Sequence, residues 1–104
     1  MNNMSVHNIS SSEFTRMREN EKGEFVLLDV RSTGEWNEGH FEEAQLLPLS
    51  IIPVKVQEVV PNKEQKIILY CMSGGRSSMA ASLLDSMGYK NVFNLLGGYS
   101  GYQK

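Results

Sequence analysis

Ile67-Ile68-Leu69-Tyr70-Cys71-Met72-Ser73-Gly74-Gly75-Arg76-Ser77-Ser78 joins three kinds of sequence. A continuous apolar run comes first and predicts a buried strand over Lys66–Tyr70. The chain's only cysteine ends it. Small, flexible residues and an arginine follow. A helical pattern then opens at Ser77 and runs through Ala80, Ala81, Leu83, Leu84 and Met87 to Gly88, a candidate C-cap. A thiol between a strand end and a helix start faces unsatisfied backbone N–H groups and the positive end of the helix dipole. Gly74 and Gly75 let successive N–H groups converge as an anion nest. Arg76 adds a fixed positive charge and a donor fork. A free thiol titrates near ~8.5, and this setting predicts a depressed value and a nucleophilic thiolate. The competing reading is a small buried hydrophobe. The Ser-Gly-Gly-Arg-Ser continuation favours the reactive thiol over it, because a structural cysteine needs no anion-binding turn beside it.

Outward from this stretch, strands alternate with helices. Residues 1–5 are polar and carry no pattern, and Val6–Ile9 suits a short edge strand. Ser10 precedes Glu13 at capping-box spacing, which predicts a helix over Ser11–Asn20. Phe25–Val30 is apolar on both faces, the mark of a strand buried inside a parallel sheet. Ser32 or Thr33 caps a short helix through Glu35, Trp36 and Asn37, which Gly39-His40 breaks. Ala44–Leu49 reads as a short strand. Ile51–Val60 reads as a helix with Pro53 in its first turn. Asn91–Leu95 is the last strand, and Gly97–Tyr102 is rich in turn residues. The alternation predicts an α/β fold with a mainly parallel central sheet and helices on both faces, formed by one domain over residues 1–104. Ligands of such sheets bind outside the carboxyl ends of the strands. Asp29-Val30-Arg31 and Cys71–Arg76 both fall at that edge.

The chain's 104 residues suffice for one core without staples. A net charge of −2 with no run of like charges argues against a nucleic-acid or anionic-membrane surface. One cysteine forms no internal disulfide, so nothing requires an oxidising compartment. The first residues lack the basic and apolar regions of a signal peptide, and no apolar run nears the ~20 residues of a membrane span. The default expectation is therefore a cytoplasmic protein. His7, His40 and Cys71 have no metal-ligand spacing, so no metal or other cofactor is expected. No base lies near Cys71 in sequence, and a Cys–His protease arrangement would require His40 beside it.

Three segments carry a resemblance. Leu28-Asp29-Val30-Arg31 with Glu35-Trp36, Gly39-His40-Phe41, Ala44 and Leu47-Pro48-Leu49 is similar to the first signature of single-domain rhodaneses, a sulfurtransferase family. Tyr70–Ser77 resembles their active-site loop. Gly88-Tyr89, Val92, Asn94-Leu95 and Leu96-Gly97-Gly98-Tyr99 resembles their closing signature. The order and spacing match over nearly the whole chain. The resemblance implies a three-layer rhodanese-like fold and a persulfide mechanism on Cys71. The donor it implies is a small sulfur-containing anion such as thiosulfate. The acceptor is cyanide, a small thiol or a protein thiol. The N–H groups from Met72, Ser73, Gly74 and Gly75 to Ser77 would hold the persulfide, and Arg76 would attract the donor. An alternative within the resemblance is a persulfide-relay or sensing module serving a protein partner. Four residues separate Cys71 from Arg76, whereas phosphotyrosine phosphatases resemble this turn but place five there; the shorter loop favours sulfur over phosphate. Glu43 and Tyr102 depart from a common glycine and tryptophan, with packing consequences expected. Met72 is apolar where many members carry a polar or basic residue, which favours a larger or less charged donor.

The other polar residues near these motifs have plainer readings. Asp29 and Arg31 suit a structural pair at a strand end, with Glu35 or Glu38 as further partners. His40 suits packing of a turn, and Trp36 a core or pocket-wall position. Tyr99 and Tyr102 suit either the mouth of the site or packing. Ser77 and Ser78 suit helix capping.

Overall fold

Parallel strands buried on both faces need apolar runs and helical crossovers, and the chain supplies both. The computed structural model describes residues 6–102, so the expectation for residues 1–5 lies outside the described residues. Five strands form one sheet: β1 (Val6–Ile9), β2 (Phe25–Asp29), β3 (Gln45–Leu46), β4 (Lys66–Tyr70) and β5 (Asn91–Leu95). Their order is β1-β5-β4-β2-β3, and every neighbouring pair is parallel. The intervening helices are α1 (Ser11–Asn20), α2 (Thr33–Asn37), α3 (Ile52–Val59), α4 (Gly75–Ser86) and α5 (Gly98–Gly101).

The period of two along the strands divides the apolar residues between two cores. Leu28, Ile67, Leu69 and Val92 meet Ile52 and Val56 of α3 and Ala80, Ala81 and Leu84 of α4. Leu27, Ile68, Tyr70 and Leu95 face the other way and meet Phe14 of α1 and Phe41. Helices thus cover both faces, as the alternation predicts. β4, the central strand, is buried along nearly its whole length. Its register places Asp29 beside Tyr70, so β2 and β4 end together at one edge.

Several boundaries differ from the sequence reading. Only Gln45–Leu46 of the Ala44–Leu49 segment is a strand. Leu47 and Leu49 still donate to the Asp29 and Val30 carbonyls, but Pro48 has no N–H and turns the chain away. The expected helix over Ile51–Val60 is a 3-10 turn, Leu49–Ile51, followed by α3. The β2 strand stops at Asp29, with Val30 carried on by its bond to the Tyr70 carbonyl. Helix α4 begins at Gly75, two residues before the expected Ser77. The cause is Gly74, whose φ of +116° makes the sharp left-handed entry that a side chain resists. Gly88 has φ +96° just past the other end of α4, as a C-cap glycine does.

Candidate active site

Cys71 directly follows β4 and is 1% exposed, packed in the core that α3 and α4 share. The turn folds back over the sulfur. Gly74 donates its N–H to Cys71 Sγ at 3.0 Å. The Ser77 hydroxyl lies 3.4 Å from the sulfur and 3.3 Å from the Gly74 carbonyl. Burial pushes the thiol pKa up. The Ser77 hydroxyl and the N–H groups of Ser77, Gly74 and Ser73 outweigh that burial, and the net shift is downward. Ser77 is therefore a partner of the sulfur, where the sequence equally suggested a cap. The early start of α4 presents its first N–H groups, which have no intrahelical acceptors, to the turn. The arrangement can hold an anionic sulfur without a neighbouring base.

Arg76 does not point a free fork at this site. It donates Nη1–H to Glu35 Oε1 at 2.7 Å and Nη2–H to Glu35 Oε2 at 2.8 Å. The donor fork that the sequence places beside the thiol is thus paired with a carboxylate. Glu35 is held in turn by the Ser32 backbone N–H and hydroxyl, as the third residue of the α2 capping box. The Arg76 guanidinium and the Ser32 N–H bring its pKa down to about 2.

Asp29 and Arg31 form the pair the sequence suggested, but without Glu35 or Glu38. Arg31 is bidentate on Asp29, with 2.7 Å from Nη2 to Oδ2, and both side chains are buried. Arg31 also donates to the Gly39 carbonyl, and its guanidinium lies 5.5 Å and 4.6 Å from the Tyr70 and Tyr99 ring centroids. Tyr70 and Tyr99 belong to the core opposite that of Cys71. The pair shares the sheet edge with the thiol but lies on the other face. His40 stacks on Trp36 at 3.4 Å and its Nδ1 sits 2.9 Å from the Trp36 carbonyl. Trp36 is half-buried and absent from both cores. Tyr99 and Tyr102 both pack on Phe41.

Sequence reasoning put Tyr99 either at the mouth of the site or in packing, and missed that its element, α5, bonds the loop through the backbone. Tyr99 N–H donates to the Cys71 carbonyl at 2.8 Å. The Ser100 N–H and hydroxyl both donate to the Met72 carbonyl, at 2.9 and 2.8 Å. The contact is so close that a Cβ on Gly98 would stand 2.6 Å from both carbonyl oxygens. α5 therefore clamps the loop by its carbonyls and leaves the N–H groups facing the sulfur. The Gly97-Gly98 pair was the available signal, since paired glycines mark a close backbone approach.

A groove of about 510 Å3 lined by Arg18, Glu19, Lys22, Phe25 and Glu43 takes no residue from the loop, so volume alone does not mark the chemistry. Among the described residues, no three His, Cys, Asp or Glu side chains are grouped to hold a metal ion.

A parallel sheet with helices on both faces and a thiol cradled by N–H groups at its carboxyl edge defines a cysteine-loop α/β protein. More particularly, the chain belongs to the rhodanese-like domain family, whose family model matches residues 10–104. It is 34% identical over 87 residues to a sulfurtransferase from Allochromatium vinosum, covering 84% of this chain and 79% of that protein. It is 32% identical to a tRNA uridine(34) hydroxylase from Erwinia tasmaniensis over 78% of this chain, but spans only 24% of that relative's length. Reduced CoADR-RHD from Bacillus anthracis matches with a TM-score of 0.80 and 31% identity over 94% of this chain and 16% of its own.

Proposed function

We propose that the protein is a sulfurtransferase that carries sulfane sulfur on Cys71. The observation that supports this most is the hydrogen-bonded sulfur: an N–H at 3.0 Å and a hydroxyl at 3.4 Å on a buried thiol whose pKa is lowered. In the first half-reaction the thiolate attacks the outer sulfur of a donor such as thiosulfate. A new S–S bond forms to Cys71, the donor's S–S bond breaks, and its electron pair leaves with sulfite. The persulfide anion is then held by the N–H groups of Ser73, Gly74 and Ser77 that act on the sulfur, stabilised as an oxyanion would be in acyl transfer. In the second half-reaction cyanide, a small thiol or a protein thiol attacks the outer sulfur, and the Cys71 thiolate is released. Two half-reactions through one covalent form predict ping-pong kinetics.

Incubation with excess thiosulfate or an organic persulfide, followed by intact mass measurement, should show one added sulfur atom. Cys71→Ser should show none. A wild-type mass unchanged under both donors counts decisively against the reading. The second reading, a persulfide-relay or sensing module for a protein partner, draws on the small share of longer relatives that this chain spans. It predicts slow thiosulfate-to-cyanide turnover with rapid transfer to one particular protein thiol.

A further inference from the structure

Helix α2 and its cap are attached to the molecule at few places. Ser32, Thr33, Gly34, Asn37 and Glu38 are exposed, no residue of α2 is buried, and none joins either core. The backbone bonds of residues 32–38 close near the segment itself: Trp36 N–H donates to the Ser32 carbonyl and Glu38 N–H to that of Glu35. The Ser32–Glu35 capping-box bonds also stay inside it. Its two ends are drawn together, because Arg31, fixed on buried Asp29, donates to the Gly39 carbonyl at 2.7 Å. Gly39 has φ +139°, where a side chain would be strained and a glycine turns freely. A surface segment with joined ends and no buried face opens locally at low free energy. Among the described residues, one side-chain link joins this segment to another element: Glu35 takes the Nη1–H and Nη2–H groups of Arg76 at 2.7 and 2.8 Å. The contact of Trp36 with His40, a ring stack, is made just past Gly39 on the same stretch of chain. Arg76 is the second residue of α4. The turn after β4 is thus held at two ends, by α5 on the Cys71 and Met72 carbonyls and by the α2 segment on Arg76. Water reaches the second hold, since the Arg76 and Glu35 side chains are 40% and 25% exposed, and salt therefore screens it.

We infer that residues 32–38 form a flap that swings about the Arg31–Gly39 neck, with the Glu35–Arg76 ion pair as its latch. Closed, the flap fixes Arg76 at the start of α4 and keeps Trp36 against His40. Open, it releases Arg76 and carries Trp36 off the imidazole, because His40 lies beyond the neck. The device is independent of any sulfur chemistry at Cys71, and its test reads none.

Trp36 is the chain's only tryptophan, so its fluorescence reports the flap alone. The probe is acrylamide, a neutral quencher whose encounters with the indole do not depend on charge. Glu35→Gln removes the charge of the latch, and glutamine is also a capping-box residue, so α2 keeps its first-turn bonds. Arg76→Met breaks the latch from the other side and leaves the capping box whole. In either variant the open population should grow by up to about fivefold, the worth of one water-accessible ion pair, and the quenching constant of Trp36 should rise with it. In wild type the constant should climb toward the variant level between low and molar sodium chloride, at unchanged far-ultraviolet circular dichroism. The same salt series should leave both variants flat. Glu58→Gln, which removes the exposed Lys55–Glu58 pair on α3, is the control and should quench and respond to salt as wild type does. Quenching equal in wild type and both variants overturns the latch. A wild type that ignores salt overturns it too, and that arm stands even where a variant fails to fold. A salt response as large in the variants as in wild type places the effect elsewhere and overturns the proposal.

Discussion

Ser77 places one hydroxyl proton between two acceptors, Cys71 Sγ at 3.4 Å and the Gly74 carbonyl at 3.3 Å. Ionising the thiol makes the sulfur the better acceptor, so the proton turns toward it when the thiolate forms. Ser77→Ala removes that response while leaving the Gly74 N–H in place. The sign follows from the direction of the shift: a group that lowers the thiol pKa is lost, so the pKa moves up. The acid limb of the pH–rate profile should then move to higher pH. At neutral pH the loading rate should fall about tenfold, the usual worth of a hydrogen bond to a charged group. Thiolate absorbance titrated against pH reads the same shift without turnover. A Ser77→Ala profile that overlays wild type would show that the backbone N–H groups alone hold the anion. The contributors to this site were legible in the sequence as residue types, because glycines and a serine after a strand-end cysteine have few other uses. The fate of Arg76 was not. Its partner Glu35 lies 41 residues away, and only the shared sheet edge brings them together.

Helix α5 is one turn long, yet it holds the loop that holds the sulfur. Three donors, the Tyr99 and Ser100 N–H groups and the Ser100 hydroxyl, take the two carbonyls of Cys71 and Met72. Peptide planarity then fixes the direction of the N–H groups that follow those carbonyls. Gly98 makes the approach possible. It has φ +60°, and a Cβ there would meet the Cys71 and Met72 carbonyl oxygens at 2.6 Å. Gly98→Ala must therefore push α5 off the loop. Backbone strain and overpacking together put the cost at about 2–4 kcal/mol, and sulfur loading should fall by more than an order of magnitude. Gly75 is the control. It opens α4 in ordinary helical conformation, and a Cβ there meets nothing within 4 Å. Gly75→Ala should leave the urea midpoint level or raise stability by up to ~1 kcal/mol. Equal effects of the two substitutions on the midpoint would remove the clamp from the account. Sequence composition marks both positions alike, as members of Gly-Gly pairs. What separates them is which backbone passes nearby, and that is a tertiary fact.

Across the whole molecule the legible part was the sheet. Apolar runs at Phe25–Asp29, Lys66–Tyr70 and Asn91–Leu95 are strands at nearly the boundaries read from them, because burial on both faces leaves no other use for such runs. Contacts between departures from the family pattern were not legible. Glu43 and Tyr102 meet through Arg18, which donates to Glu43 at 2.6 and 2.8 Å and to the Tyr102 hydroxyl at 3.3 Å, above Phe14 and Phe41. The two changes expected to alter packing do so together, in one contact. The Asp29–Arg31 pair has the widest reach of these polar links. Arg31 ties the end of β2 to Gly39 after α2, to Tyr70 at the end of β4 and to Tyr99 in α5. Removing either partner strands the other charge in the interior. Asp29→Ala should therefore cost about 3–5 kcal/mol in urea unfolding, a large share of the ~5–15 kcal/mol that holds a domain together. Arg31→Met, which keeps most of the stem volume, should cost a similar amount because the Asp29 carboxylate loses its guanidinium. The double variant strands no charge, so its cost should be well below the sum of the singles, with a coupling of about 1–3 kcal/mol. Costs that simply add would mean that Asp29 and Arg31 act separately, through the backbone bond of one and the ring contacts of the other.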